Sequence, residues 1–273
     1  MIKLYRLMAF DMDDTLLSPG GIITQRTMTA LKRAMEAGVY VVLASGRMLE
    51  AMLPTAERIG VNGPMVLYNG GMVYDTVNSR TVSRTEIPLE TAREILRMAE
   101  ENGVYAQVYP GEGYYAHEYT RYTDLYEKHI KVKCNITGKP LSEWITTGQV
   151  KMLFIGEKED SPARIEMFSK AFPDVSFMNS KPHYIEVVAK TTDKAVALDA
   201  AARDLGLTPD QCIAFGDGQN DVSMLNYVGA GYCMANASEG VKARCRLFAP
   251  SNAEDGCAQV IEQLLAEGKL GKV

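Results

Sequence analysis

The chain has 273 residues, 47% of them hydrophobic and 23% charged, a balance that suits a folded globular protein of one large domain or two smaller ones. A formal net charge of −5, with acids and bases interspersed and no basic arm, excludes nucleic acid as an expected partner. Five cysteines (Cys134, Cys212, Cys233, Cys245, Cys257) without a Cys-x-x-Cys pair, and three scattered histidines, exclude a disulfide framework and a zinc site and fit reduced thiols.

Met1–Phe10 lacks the apolar core and cleavage site of a signal peptide, and no apolar run approaches the roughly 20 residues of a membrane span, so a cytoplasmic protein without a membrane partner is expected. Leu4–Phe10 reads as a buried strand. A helix follows over residues 24–37, with Thr24 as N-cap and Gly38 just past its end. Val39–Ala44, rich in β-branched valine, predicts a second strand, residues 49–59 a helix, and Met65–Tyr68 a third strand. Short apolar strands separated by helices predict βαβ units and a parallel sheet buried on both faces.

The rhythm changes near Gly70. Met72–Tyr74 and Thr81–Arg84 read as a hairpin, and Leu89, Ala92, Ile95, Leu96 and Ala99 repeat at helical spacing. Strands are expected at Val104–Tyr109, Tyr114–His117 and Lys151–Ile155. A helix capped by Ser161-Pro162 runs to Phe172, followed by strands Val175–Met178 and Tyr184–Val188. From Thr191 the first rhythm resumes: helix Ala195–Leu205, strand Cys212–Phe215, helix Val222–Tyr227, strand Ala230–Met234 and a last helix near Ala258–Ala266. The fold class is therefore α/β, a doubly wound parallel-sheet core (residues 1–83 and 190–273) with an inserted α/β domain (residues 84–189).

Ligands of open parallel sheets bind beyond the carboxyl ends of the strands. Two such ends carry paired acids: Asp11 and Asp13 after the first strand, Asp217 and Asp221 after Cys212–Phe215. Clustered carboxylates repel unless a cation offsets them, and oxygen ligands of this kind suit Mg²⁺. Either pair alone could equally cap a helix or decorate a turn; both together, each at a strand end, point to a metal site.

Asp11-x-Asp13-x-Thr15 resembles the first motif of the haloacid dehalogenase superfamily. Ser45 in Ala44-Ser45-Gly46-Arg47, then Lys194, then Gly216-Asp217-Gly218-Gln219-Asn220-Asp221 resemble its other three motifs, in the same order. The long stretch between Tyr68 and Lys194, against the short one between Asp11 and Ser45, resembles the Cof-type (subclass IIB) phosphatases, whose α/β cap (type C2B) is inserted between the second and third motifs. The resemblance implies a Mg²⁺-dependent phosphatase acting on small phosphorylated metabolites through an aspartyl-phosphate. Asp11 would be the nucleophile and Asp13 the acid and base. The metal would be held by Asp11, the Asp13 carbonyl and Asp217, with Asp221 direct or through water. Ser45 and Gly46 would hold phosphate oxygens, Lys194 would offset charge, and Asn220 would contact phosphate or orient Lys194.

Alone, Ser45 reads as a helix N-cap, Lys194 as a solvated helix lysine and Asn220 as a turn residue. Ala195 stands where the family usually has glycine after the lysine, and Asp14 replaces the common glycine of the first motif. Arg47 and Asn69, beyond strand ends, face the substrate or serve as turn residues. Asn236 in Ala235-Asn236-Ala237 matches a family position near the site and reads as structural. In the inserted domain, Lys181 and His183 are substrate candidates against a solvated-loop reading, and the many tyrosines read as sheet packing. A sugar phosphomutase, or a phosphometabolite-binding regulator without catalysis, are the competing functions; the mutases carry their cap elsewhere, and intact Asp11, Asp13, Lys194 and Asp217 oppose the second. The oligomeric state is not readable, and a monomer is compatible with the sequence.

Overall fold

The apolar run that opens the chain becomes strand β1 (Leu7–Asp11), every residue of it buried. It begins later than the hydropathy suggests, because Tyr5 leaves the ladder to bridge Leu270 near the chain end. The computed structural model describes residues 4–271, so the expected reach of this segment back to Met1 and the final two core residues lie outside the described residues.

Beyond β1 come α1 (Gln25–Glu36), β2 (Tyr40–Ala44), α2 (Leu49–Ile59), β3 (Met65–Leu67) and the hairpin β4 (Met72–Asp75) and β5 (Arg80–Arg84). Thr24 caps α1 by accepting the Thr27 N–H at 3.1 Å, as its position before the amphipathic run predicts. Next are α3 (Leu89–Glu101), β6 (Tyr105–Tyr109), β7 (Tyr115–Ala116), α4 (Arg121–Ile130), β8 (Asn135–Ile136), α5 (Leu141–Trp144), β9 (Lys151–Ile155), α6 (Ser161–Ala171), β10 (Val175–Lys181) and β11 (Tyr184–Ala189). The chain ends with α7 (Lys194–Asp204), β12 (Cys212–Gly216), α8 (Val222–Tyr227), β13 (Ala230–Met234), α9 (Glu239–Lys242), β14 (Leu247–Ala249) and α10 (Gly256–Ala266).

Two sheets result. The first has eight strands in the order β14-β13-β12-β1-β2-β3-β4-β5. Its pairs from β14 to β3 are parallel, and the hairpin strand β4 joins β3 antiparallel. Phe10, Phe215 and Tyr232 lie in register on β1, β12 and β13 and stack as a ladder, with ring centroids 4.8 and 5.3 Å apart. Leu7, Ala9, Val42, Cys212 and Ala214 instead pack on Ala197, Leu198, Ala201 and Ala202 of α7. Small residues on α7 let that helix lie close to the sheet. Strand order runs outward from β1 in both directions, so a crevice opens at the carboxyl ends beside β1 and β12.

The second sheet is ordered β10-β11-β9-β6-β7-β8, antiparallel except for the last pair. Val108, Met152, Phe154, Ile185 and Val187 turn one face onto Ile95, Leu96, Leu141 and Phe168 of α3, α5 and α6. The alternate residues make the other face polar. Tyr109 donates to Gln107, Gln107 to Tyr105, and buried Lys151 pairs with Glu186 at 2.8 Å. The tyrosines pack on one another there: Tyr109 stacks on Tyr114, and Tyr126 meets Tyr114 and Tyr184 edge-on.

The chain divides into two compact units. One takes the residues up to Arg47, Pro54–Ser83 and those from Asp193 onward; the other takes Met48–Leu53 and Arg84–Thr192. Several elements escape pattern reading. α4 is continuous from Arg121 because Thr120 forms a capping box with Thr123, and β8, α5, α9 and β14 are too short to show a period. Ser161 is the first residue of α6 and not its cap, since a turn of 3₁₀ helix, Lys158–Asp160, runs directly into it.

Among the described residues, no helix is long and apolar enough to cross a membrane.

Candidate active site

Asp11 ends β1, and the chain turns sharply after it. Asp13 stays extended, and Asp14 takes a left-handed backbone (φ 59°), a conformation aspartate tolerates better than most residues. Glycine is therefore dispensable there. Thr15, the last residue of the motif, donates its hydroxyl to Asp217 Oδ1 at 2.6 Å and ties the turn to the loop after β12.

Lys194 opens α7, whose cap Asp193 accepts the Ala195 N–H at 2.7 Å. The lysine is fully buried, and its Nζ donates to both Asp11 Oδ1 and Asp221 Oδ1 at 2.6 Å. It is no solvated helix lysine. Ala195 in place of glycine leaves that reach intact. Asp221 is spoken for on its other side as well, because Oδ2 accepts the N–H groups of Asp217 and Gly218 at 3.1 and 2.8 Å. Asp221 thus folds its own loop while it fixes the lysine.

Asp11, Asp217 and Asp221 each offer an oxygen, and the three oxygens lie within 4.8 Å of one another. Burial pushes the Asp11 carboxyl up to about 7, the Lys194 ammonium opposing this and Asp221 and Asp217 adding to it. Burial likewise lifts Asp217 to about 6, the Thr15 hydroxyl working against the rise and Asp221 with it. Lys194 offsets the cost of its own burial by pairing with both carboxylates, and they hold it protonated. One ammonium cannot neutralise three clustered carboxylates. The donor set, hard oxygens at the mouth of a parallel sheet, fits a small divalent cation.

Ser45, Gly46 and Arg47 follow β2. Ser45 is buried, and its hydroxyl accepts the Arg47 N–H at 3.2 Å; α2 begins only at Leu49, so Ser45 is not that helix's cap. The turn rests on a second one, Tyr68-Asn69-Gly70, in which all three residues have positive φ. Asn69 donates its N–H to Ser45 O at 3.0 Å, and its side-chain oxygen accepts from Asn220 Nδ2 at 2.9 Å. A Cβ at Gly46 would press on the Asn69 amide, which would have to shift to admit any other residue. Arg47 grips Asp13 with two nitrogens, at 2.5 and 3.1 Å, in an exposed pair.

The first unit therefore gathers Asp11, Asp13, Ser45, Gly46, Arg47, Asn69, Lys194, Asp217, Asn220 and Asp221 at neighbouring strand ends. Lys181 and His183 belong to the second unit. There Lys181 Nζ meets His129 Nε2 at 2.7 Å, and His183 Nδ1 lies 3.2 Å from Gly156 O. Sequence reading left Thr15 without a role and missed His129 and also Asn252, whose Nδ2 donates to Leu17 O at 2.8 Å behind the Asp11 turn. Nothing short-range marks the last two, whose partners come from distant segments.

A family model described as haloacid dehalogenase-like hydrolase matches residues 8–261. The chain belongs to the haloacid dehalogenase-like hydrolases. It is 30% identical over 241 residues to an HMP-PP phosphatase of Serratia proteamaculans, covering 88% of this chain and 87% of that one. It is 26% identical over 264 residues to the Bacillus subtilis 5-amino-6-(5-phospho-D-ribitylamino)uracil phosphatase YitU, covering 94% and 96%. The crystal structure of a haloacid dehalogenase-like hydrolase from Bacteroides thetaiotaomicron superposes with a TM-score of 0.87 at 28% identity, over 95% of this chain and 99% of that one. Within this family the chain is a phosphatase.

Proposed function

We propose that the protein hydrolyses phosphate monoesters of small metabolites, with Mg²⁺, through a phosphorylated Asp11. What supports this reading above all is the cluster of Asp11, Asp217 and Asp221 at the strand ends, with Lys194 joining the two buried ones, Asp11 and Asp221. Residues 84–189, which fall in the second unit, are read as the inserted cap. The two named phosphatases among the relatives act on different phosphorylated compounds, in keeping with small phosphorylated metabolites as the substrate class.

Asp11 Oδ attacks phosphorus as the bond to the leaving oxygen breaks, and Asp13 gives that oxygen its proton. Water then attacks the same phosphorus, the acyl-phosphate P–O bond breaks, and Asp13 takes the water's proton back. Lys194 offsets the charge that accumulates on Asp11 and the moving phosphoryl group. Ser45 and the turn amides around Gly46 hold the phosphoryl oxygens, with Asn220 beside them. Arg47, paired with Asp13 here, keeps that carboxylate beside the reaction path. Asp11, Asp217 and the Asp13 carbonyl would hold Mg²⁺, with Asp221 direct or through water; when bound it shields the phosphate's charge from the anionic nucleophile.

The test is phosphate release from a panel of sugar phosphates, nucleotides and cofactor phosphates, with and without Mg²⁺. Wild type should turn over part of the panel and Asp11→Asn none of it. Turnover by Asp11→Asn at the wild-type rate would remove Asp11 as nucleophile.

A further inference from the structure

The turn that follows Asp11 does not satisfy its own backbone. With Asp13 extended and Asp14 left-handed, the turn is braced from outside through the carbonyls of Asp14, Thr15 and Leu17. Each finds a partner in the C-terminal segment. Asn236 Nδ2 donates to Asp14 O at 2.7 Å, Cys257 Sγ lies 3.6 Å from Thr15 O, and Asn252 Nδ2 donates to Leu17 O at 2.8 Å. The two asparagines are themselves joined, for the Asn252 N–H donates to Asn236 Oδ1 at 3.0 Å. The amide of Asn236 is thereby fixed in orientation, with its oxygen turned to Asn252 and its NH₂ to the turn.

We infer that Asn236, held by Asn252, is a positioning residue that sets the Asp14–Thr15 peptide and through it the attitude of the Asp13 carboxyl. The inference rests on the phosphatase reading above. Asp13 sits one residue before the clamped carbonyl, and its side chain is mostly exposed, with Arg47 as its side-chain partner. Where it points is therefore fixed jointly by that exposed pair and by the backbone it springs from. A left-handed residue has few neighbouring conformations that keep the chain's path, so a lost bond at Asp14 O lets the peptide rotate as a unit. Asp11, by contrast, is held by Lys194 and by β1, and Asn236 does not touch it. Loosening Asn236 should therefore impair proton transfer while sparing the nucleophile.

That separation is measurable with phenyl phosphate and p-nitrophenyl phosphate. Both offer the same ring, but nitrophenolate leaves without help whereas phenolate needs a proton. Asn236→Asp keeps the size and the acceptor for Asn252 while removing the donor to Asp14 O; Asn236→Ala removes both. In either variant, p-nitrophenyl phosphate should give a burst of about one nitrophenol per enzyme, followed by turnover about 10- to 100-fold below wild type, because phosphoenzyme forms normally and hydrolyses slowly. Phenyl phosphate should lose a similar factor in kcat without a burst. KM should stay within about threefold, and Asn236→Asp should melt within a few degrees of wild type. Asp13→Asn should show the same pattern more strongly.

Wild-type turnover in both variants, or an equal loss on both substrates without a burst, would overturn the positioning role and leave Asn236 a structural residue. Failure of the wild type on both esters would instead overturn the phosphatase reading, and the inference with it.

Discussion

Removing the ammonium of Lys194 should expose how the acidic cluster is held together. Lys194→Met fills similar space but leaves Asp11 and Asp221, two buried carboxylates, without the donor they share at 2.6 Å. Breaking a buried ion pair from one side costs about 3–5 kcal/mol, because an uncompensated charge stays behind. At 2–4 °C per kcal/mol for a chain of this size class, melting should fall by roughly 10 °C at pH 8. The sign with pH follows from Asp11, whose carboxyl burial already pushes up to about 7 in the intact site. A folded-state pKa above the unfolded value means that the folded form gains protons as pH drops, so the variant should recover stability between pH 8 and pH 5. Mg²⁺ should rescue the variant more than it stabilises wild type, and turnover should fall at least a hundredfold. Thermal melts at pH 5 and pH 8, with and without Mg²⁺, read all of this. A variant as stable as wild type at pH 8, or one whose deficit does not shrink on acidification, would refute the argument.

The raised carboxyls make a second prediction: Mg²⁺ must displace protons from Asp11 and Asp217, near 7 and 6 without metal, so its affinity by calorimetry should rise more than tenfold from pH 5.5 to 7.5 and then level off. A flat profile would contradict the displacement of protons from these two carboxyls. Gly70 has φ 105°, and a Cβ there would run into the carbonyl of Asp193, the cap of α7; Gly70→Ala should cost several kcal/mol in denaturant unfolding by displacing Lys194, and an unperturbed midpoint would contradict this. Asp75 accepts the N–H groups of Val77 and Asn78 and the Asn78 amide. Burial alone would raise its carboxyl, but those bonds and Arg80 hold it below the usual range. Its contribution is then present above the unfolded pKa of about 3.9 and lost as pH falls through the lower folded value. Asp75→Asn should cost about 1–3 kcal/mol at pH 7 and progressively less below pH 4, by urea midpoints.

The parallel core was legible because its strands are buried on both faces and read as unbroken apolar runs between capped helices, as at Val39–Ala44 and Cys212–Phe215. The acids at strand ends were legible for a related reason: a carboxylate directly after a buried strand has no packing role. What stayed hidden depends on distance in the chain. Motif order alone picked out Lys194, but its bridge between Asp11 and Asp221 shows only once α7 is docked. Asn252 has no local signature, and its importance is the Leu17 carbonyl brought to it by folding. Short elements such as β8 and α5 escaped because two to four residues show no period, and α4 because its tyrosines suit a strand as well as a helix until Thr120 caps it.

The central claim is a covalent bond between phosphorus and Asp11. Asp13→Asn should slow the hydrolysis of that bond, so acid-quenching the variant after mixing with radiolabelled p-nitrophenyl phosphate in Mg²⁺ should trap it. About one label per chain is expected, discharged by hydroxylamine as an acyl phosphate is, on the peptide that contains Asp11, and absent when Asp11→Asn is added. Label on any other residue, or continuing turnover with no trapped label, would contradict it.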